Sequence, residues 1–185
     1  MIDISMYLMA VETKKEKDKL EIIYDEYLSV MTHTAILYVG KFNAEEDVVH
    51  NAILKLITYL NRVDLSNIPS TKSFVRVITR SCAIDWLRKE KSYSTISTDE
   101  NYIDVESSDP MPLEYIVSNE GYNLLVNCIY SLSPSLRDVC ELKFICGFSN
   151  KEIAGILSIT ENNVGVRINR ARNILTEKIK EAANG

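Results

Sequence analysis

Apolar residues recur at steps of three and four through most of the chain, which is the spacing that gives an α-helix one buried face. Such runs cover residues 20–39, 72–91 and 113–132, and another begins where Asn43 and Glu46 have the spacing of a capping box. Glycine and proline, which interrupt helices, number only 6 and 4 among 185 residues. We therefore predict an all-α fold.

Two short helical patterns joined by a tight turn lie near the C-terminus. Ser149 and Glu152 have the spacing of a capping box and predict the start of the first helix. Thr160 predicts the start of the second, where its hydroxyl and the helix N-terminus can also hold a phosphate. Ser158 and Ile159 fall between the two helices and form the predicted turn. This arrangement is typical of a helix-turn-helix.

The second of these helices has two different faces. Its apolar positions repeat at steps of four, three and four, at Val164, Ile168, Ala171 and Leu175. Since this stripe packs inward, Val166, Asn173 and the asparagines and arginines of this helix are expected to point outward. Asparagine and arginine side chains can form paired hydrogen bonds with adenine and guanine edges in a major groove. We predict DNA contacts from Lys151, Thr160, Asn162, Asn163, Arg167 and Arg170. The alternative is an ordinary helical hairpin with a solvated face.

Residues 72–91 form a second candidate nucleic-acid surface. They carry six basic and two acidic side chains, and Lys72, Arg76 and Arg80 are spaced four residues apart on one side of the predicted helix. Phe74 and Trp86 are interleaved with the basic residues. Basic groups that follow a backbone and rings that stack on unpaired bases suit a single strand. Two alternatives stay open: the aromatic residues belong to the core, and the basic stripe is a solvated face.

The net charge of −5 comes from one middle segment. Residues 1–91 contain 13 basic and 13 acidic side chains, residues 92–120 contain seven acidic side chains and no basic one, and residues 121–185 have a net charge of +2. The segment 92–112 is also rich in Ser and Thr, contains two prolines and lacks helical spacing, so we predict a flexible acidic linker. It would separate two small helical domains, residues 1–91 and 113–185.

Several kinds of site are disfavoured by what the sequence lacks. No run of about 18 apolar residues is present, so we expect no membrane span. The first 19 residues have acidic side chains early and lysines late, the reverse of a secretory signal, which favours a cytoplasmic protein. The cysteines form no C-x-x-C pair and lie apart from the two histidines, so we expect buried, reduced thiols and no metal site. We predict no cofactor and no catalytic residue.

Five segments occur in an order and spacing typical of one protein family. They are EIIYDEY (residues 21–27), AEEDVVHNAILK (44–55), FVRVITRSCAIDWLRK (74–89), LSPSLRDVCELKFICGFSNKEIA (132–154) and NVGVRINRAR (163–172). With the acidic segment between the two blocks, this set resembles the extracytoplasmic-function sigma factors, small bacterial members of the sigma-70 family. The resemblance covers about residues 20–179.

The resemblance implies two helical domains on a tether that bind core RNA polymerase and direct it to promoter DNA. It implies polymerase docking for Glu46, Asp47 and Val49. It implies that the loop 61–71 and the following helix recognise and open the downstream (−10) promoter element, with Phe74, Arg76, Arg80, Asp85, Trp86, Arg88 and Lys89. The helix-turn-helix would recognise the upstream (−35) element. An anti-sigma factor is implied as an inhibitory partner.

Two other functions are kept for comparison. One is a helix-turn-helix transcriptional regulator that binds an operator independently of polymerase, although the first block lacks an obvious ligand pocket. The other is a sigma-like decoy that occupies polymerase without recognising DNA.

Overall fold

The computed structural model describes residues 3–92 and 120–184. All regular structure within these residues is helical, which confirms the predicted all-α fold. The described residues fall into two compact units, one on each side of the gap. Residues 93–112 of the predicted linker lie outside the described residues.

The first unit contains four helices. They are α1 (Ser5–Leu8), α2 (Lys14–Val39), α3 (Glu45–Ile57) and α4 (Ile68–Ser92). Short 3-10 turns, Gly40–Phe42 and Leu60–Arg62, connect α2 to α3 and α3 to α4. The helix α4 packs against both α2 and α3, and these two also pack against each other. The core is therefore formed by the apolar faces of three long helices.

Three helix starts in the first unit differ from the expected positions. The helix α4 begins at Ile68 rather than at residue 72, so the last residues of the predicted loop 61–71 are helical. The helix α2 begins before the predicted residue 20 because the Glu16 N–H donates to Thr13 Oγ1 (3.3 Å) while the Thr13 N–H donates to the Glu16 carboxylate (3.3 Å). The capping box predicted at Asn43 and Glu46 is wrong. Asn43 instead has a left-handed backbone (φ 51°) that ends the 3-10 turn, and α3 begins at Glu45 without a side-chain cap.

Between residues 120 and 184, the second unit contains four more α-helices. They are α5 (Glu120–Tyr130), α6 (Pro134–Cys140), α7 (Asn150–Leu157) and α8 (Glu161–Asn184), with a π-helical turn, Glu141–Ile145, continuing from α6. The predicted start of the first of these at residue 113 lies outside the described residues. The helix α8 packs against α5, α6 and α7, so it forms the centre of this unit.

The cysteines have the surroundings of structural thiols. Cys82, Cys128 and Cys140 are buried, Cys146 is half-buried, and none of these four forms a disulfide bond. Burial raises the pKa of the Cys82 thiol to about 11. Burial, with a smaller effect from the Glu141 carboxylate, raises the pKa of Cys140 to about 12. Both thiols therefore stay protonated near neutral pH, where a protonated thiol is a poor nucleophile. Within the described residues, no group of His, Cys, Asp and Glu side chains is arranged to hold a metal ion.

Candidate nucleic-acid interface

The predicted helix-turn-helix is present, and local hydrogen bonds fix both of its helices. In the capping box of α7, the Ser149 N–H donates to the Glu152 carboxylate (2.8 Å) and the Glu152 N–H donates to Ser149 Oγ (3.3 Å). At the start of α8, the Asn163 N–H donates to Thr160 Oγ1 (3.2 Å). Ser158 occupies the turn in the left-handed region (φ 54°), where glycine is the usual residue.

The two faces of α8 lie as the sequence predicted. Val164, Ile168, Ala171 and Leu175 are all buried. Asn162 and Arg170 are exposed on the opposite side, and Val166 keeps 42% of its surface accessible between them. Lys151 on α7 and Thr160 in the turn are also exposed. This surface therefore offers amide, guanidinium and methyl groups of the kinds that recognise base edges in a major groove.

Two predicted contacts on α8 are less accessible than expected. Asn163 and Arg167 are half-buried, and the Arg167 Nη1 atom itself is buried. These residues lie on the flank of the helix, closer to the buried stripe than Arg170 does, because successive residues turn by about 100°. Arg170 is therefore better placed than Arg167 to reach a base.

The sequence analysis missed two outward residues, Asn169 and Arg172. Both are exposed, and both line a groove of about 700 Å³ beside α8 that also includes Asn162, Lys143 of the π-helical turn and Asn150 at the start of α7. Helical spacing alone could have placed Asn169 on the polar side of α8. Arg172 is as close to the buried stripe as Arg167 is, on the opposite flank, so the spacing does not predict its exposure. The contribution of Lys143 comes from tertiary packing, and no local pattern predicts it.

The basic stripe predicted on α4 is corrected by the structure. Residues 73–84 are all buried, including Arg76 (6% exposed), Arg80 (1% exposed) and Phe74. The Phe74 ring meets the Tyr59 ring edge-on, with 6.4 Å between centroids, as a core aromatic does. The four-residue spacing correctly places Arg76 and Arg80 on one side of the helix, but that side does not face solvent. The alternative that Phe74 belongs to the core is the correct one.

Comparison with known proteins shows which proteins the chain is similar to. A family model described as sigma-70, region 4, matches residues 122–175, which include α7, the turn and α8 as far as Leu175. The ECF RNA polymerase sigma factor SigW of Bacillus subtilis is 25% identical over 175 residues, which cover 91% of this chain and 92% of SigW. SigX of the same organism is 23% identical over 169 residues, 89% of this chain and 85% of SigX. Residues 122–175 therefore match the sigma-70 family, and most of the chain is similar to sigma factors of the extracytoplasmic-function type.

A solved structure is also similar to the chain. In the complex of the sigma factor RpoE with the anti-sigma factor NepR from Bartonella quintana, RpoE is 23% identical, with 91% of this chain and 98% of that chain covered and a TM-score of 0.42. In the part of the chain that the structure describes, no helix is both long enough and apolar enough to cross a membrane.

Near the C-terminal end of α4, the chain has accessible residues among those predicted to recognise the −10 element. Lys89 is exposed, and Trp86 is half-buried with its ring 5.5 Å from the exposed ring of Phe42. The sequence analysis missed Phe42, which precedes α3 and is far from Trp86 in sequence. Asp85 links two helices, since its carboxylate lies 3.8 Å from Lys55 Nζ on α3 and 3.4 Å from Arg88 Nη1 on α4. These ion pairs give Asp85 a structural role.

The predicted polymerase-docking residues separate into two groups. Glu46 and Asp47 are exposed in the first turn of α3, where acidic side chains also interact favourably with the helix dipole. Val49 is only 1% exposed and belongs to the core of the first unit, so it cannot contact a partner directly in this structure. It lies on the buried stripe of α3 with Ala52, Ile53 and Leu56. The exposed face of α3 continues through Asn51 and Leu54.

Proposed function

We propose that this chain is a sigma factor that binds core RNA polymerase and directs it to promoters. Residues 1–91 would dock on the polymerase and engage the −10 element, and residues 113–185 would recognise the −35 element. Residues 92–112 would connect the two as a tether. The chain itself needs no catalytic group for this role, because RNA synthesis belongs to the polymerase. Such a protein acts in the cytoplasm, where the polymerase and promoter DNA are found.

The outward face of α8 is the observation that carries this proposal. A capped helix-turn-helix presents Asn162, Val166 and Arg170 on the side away from the core. Amides recognise adenine, guanidinium groups recognise guanine, and apolar side chains meet the thymine methyl group. Phosphate contacts from Lys151 and Thr160 would orient the helix without selecting a sequence. Arg170 is the preferred base contact in this proposal, and Arg167 supports the helix from its flank.

For the first unit, the proposal uses the residues that reach the surface. Glu46 and Asp47 form an acidic docking edge on α3 that would meet the polymerase. Trp86, Arg88 and Lys89 at the end of α4 would engage the −10 element, with the charges following the strand and the ring available for stacking. Arg76 and Arg80 are left out of this surface because they are buried.

Two weak DNA-binding units should bind a promoter more tightly when one polymerase holds both of them. Once one promoter element is engaged, the tether and the polymerase hold the second unit at a high effective concentration near its own element. Each base-recognising pair contributes only about 1–3 kcal/mol, so either unit alone should bind DNA weakly. An anti-sigma factor is a further proposed partner, because membership of the family implies one.

Run-off transcription on a fragmented bacterial genome tests the proposal. Core polymerase with the chain should produce discrete transcripts that core polymerase alone does not produce. If no new transcript appears although the two proteins co-purify, the chain is a decoy rather than a promoter-specificity subunit. If the free chain binds one DNA site tightly without polymerase, it is an operator-binding regulator instead.

A further inference from the structure

Gly165, in the second turn of α8, has no explanation in the free protein. Glycine is a poor helix former because it leaves the backbone unconstrained in the unfolded chain. Among the described residues, Gly147 is the only glycine whose φ is positive, so Gly165 has a backbone that any residue can adopt. A Cβ atom added at Gly165 would meet no atom within 4 Å. Neither backbone geometry nor packing therefore requires a glycine here.

The space beside Gly165 is the groove of about 700 Å³ along α8. Lys143 and Arg172 bring positive charge to its lining, and Asn150 and Asn169 bring amide donors. Glu161 is the acidic residue of the lining and lies in the first turn of α8. Two cationic groups and several donors around an open surface suit a phosphate backbone.

We propose that this groove receives one sugar–phosphate strand of the −35 duplex and that Gly165 provides the clearance for it. The inference rests on the proposed function, which places α8 in the major groove. The major groove of DNA is about 12 Å wide, and a helix with its side chains is about 10–12 Å across. The flanks of α8 therefore lie close to both DNA strands. A residue without a side chain lets the strand on this flank approach the helix, while Lys143 and Arg172 bind its phosphates.

Replacing Gly165 with alanine separates stability from DNA binding. Because alanine is a better helix former and has space here, Gly165→Ala should raise the thermal midpoint of the full-length chain by about 2–6 °C. The same substitution should lower −35-dependent transcription by the holoenzyme roughly fivefold or more, since the added methyl occupies the space of the strand. The larger Gly165→Leu should lower transcription further.

Gly155→Ala is the matched control. Gly155 is an exposed glycine within α7 of the same helix-turn-helix, and it does not line the groove. Its replacement should raise the thermal midpoint similarly and leave transcription unchanged. Full transcription by both Gly165→Ala and Gly165→Leu would overturn the groove assignment. An equal loss for Gly155→Ala and Gly165→Ala would also overturn it, because the loss would then follow helix stiffness rather than groove space.

The charge of the groove is tested through salt dependence. For binding of the holoenzyme to a promoter, Lys143→Ala and Arg172→Ala should each reduce the slope of log affinity against log salt by about one. Unchanged slopes for both variants would contradict the phosphate contacts. Failure of the proposed function looks different, since the wild-type chain would then give no polymerase-dependent transcript at all.

Discussion

The helices α4 and α8 both carry arginines at helical spacing, but they place them differently. On α8, Arg170 is exposed and the apolar residues form one narrow buried stripe. On α4, Arg76 and Arg80 are buried along with every other residue from 73 to 84. Equal spacing of charges therefore did not lead to equal exposure.

The apolar residues around the arginines account for the difference. In α8 the positions opposite the buried stripe are polar apart from Val166, so one side of the helix can remain in water. In α4, apolar residues are spread around the segment 73–84, with Phe74, Val75, Ala83 and Ile84 about a quarter of a turn apart from one another. A helix that is apolar all round is a core helix, and its charged residues are buried with it. The exposed face of a helix is better predicted from its apolar residues than from its charges.

Stability measurements on Arg80→Ala and Arg170→Ala test this difference most strongly. Arg80→Ala should lower the free energy of unfolding by about 3 kcal/mol, because it removes a large buried side chain and leaves a cavity among its former contacts. Arg170→Ala should change it by less than about 0.5 kcal/mol, as surface substitutions do. Denaturant titration of the full-length chain provides both values. Similar small effects for the two variants would show that α4 is not a core helix in solution.

A buried and an exposed residue of α3 provide a second test of how exposure determines a residue's role, with a smaller effect on stability. Val49→Ala should lower the free energy of unfolding by about 2 kcal/mol, because it removes two buried methyl groups. Asp47→Lys should leave stability nearly unchanged and reduce the amount of core polymerase that co-purifies with the chain. Unchanged co-purification of Asp47→Lys at equal protein levels would contradict docking through this edge of α3.

Much of the second unit could be predicted from sequence because its determinants are local. The capping box of α7, the turn at Ser158 and the apolar stripe of α8 each depend on residues within a few positions of one another. The buried side of α4, by contrast, depends on how long helices pack together. Lys143 reaches the groove beside α8 from another helical turn, and Phe42 meets Trp86 across the first unit. The spacing of residues along the chain does not predict such contacts.

Ser158 allows a finer test of these local determinants. Its left-handed backbone is unfavourable for a residue with a side chain, so Ser158→Gly should raise the free energy of unfolding by about 1 kcal/mol. Thermal unfolding would measure the gain, and promoter choice should stay the same because Ser158 is not among the proposed DNA contacts. A loss of stability would mean that the serine hydroxyl contributes more to the turn than its backbone conformation costs.

The central claim is that the outward face of α8 selects the promoter while the chain is bound to polymerase. Run-off transcription from a promoter library with a randomised −35 element measures this directly for the wild type, Asn162→Ala and Arg170→Ala. We predict that each variant loses preference at one or two −35 positions, with polymerase binding and the −10 preference unchanged. Identical −35 preferences for all three proteins would contradict the claim.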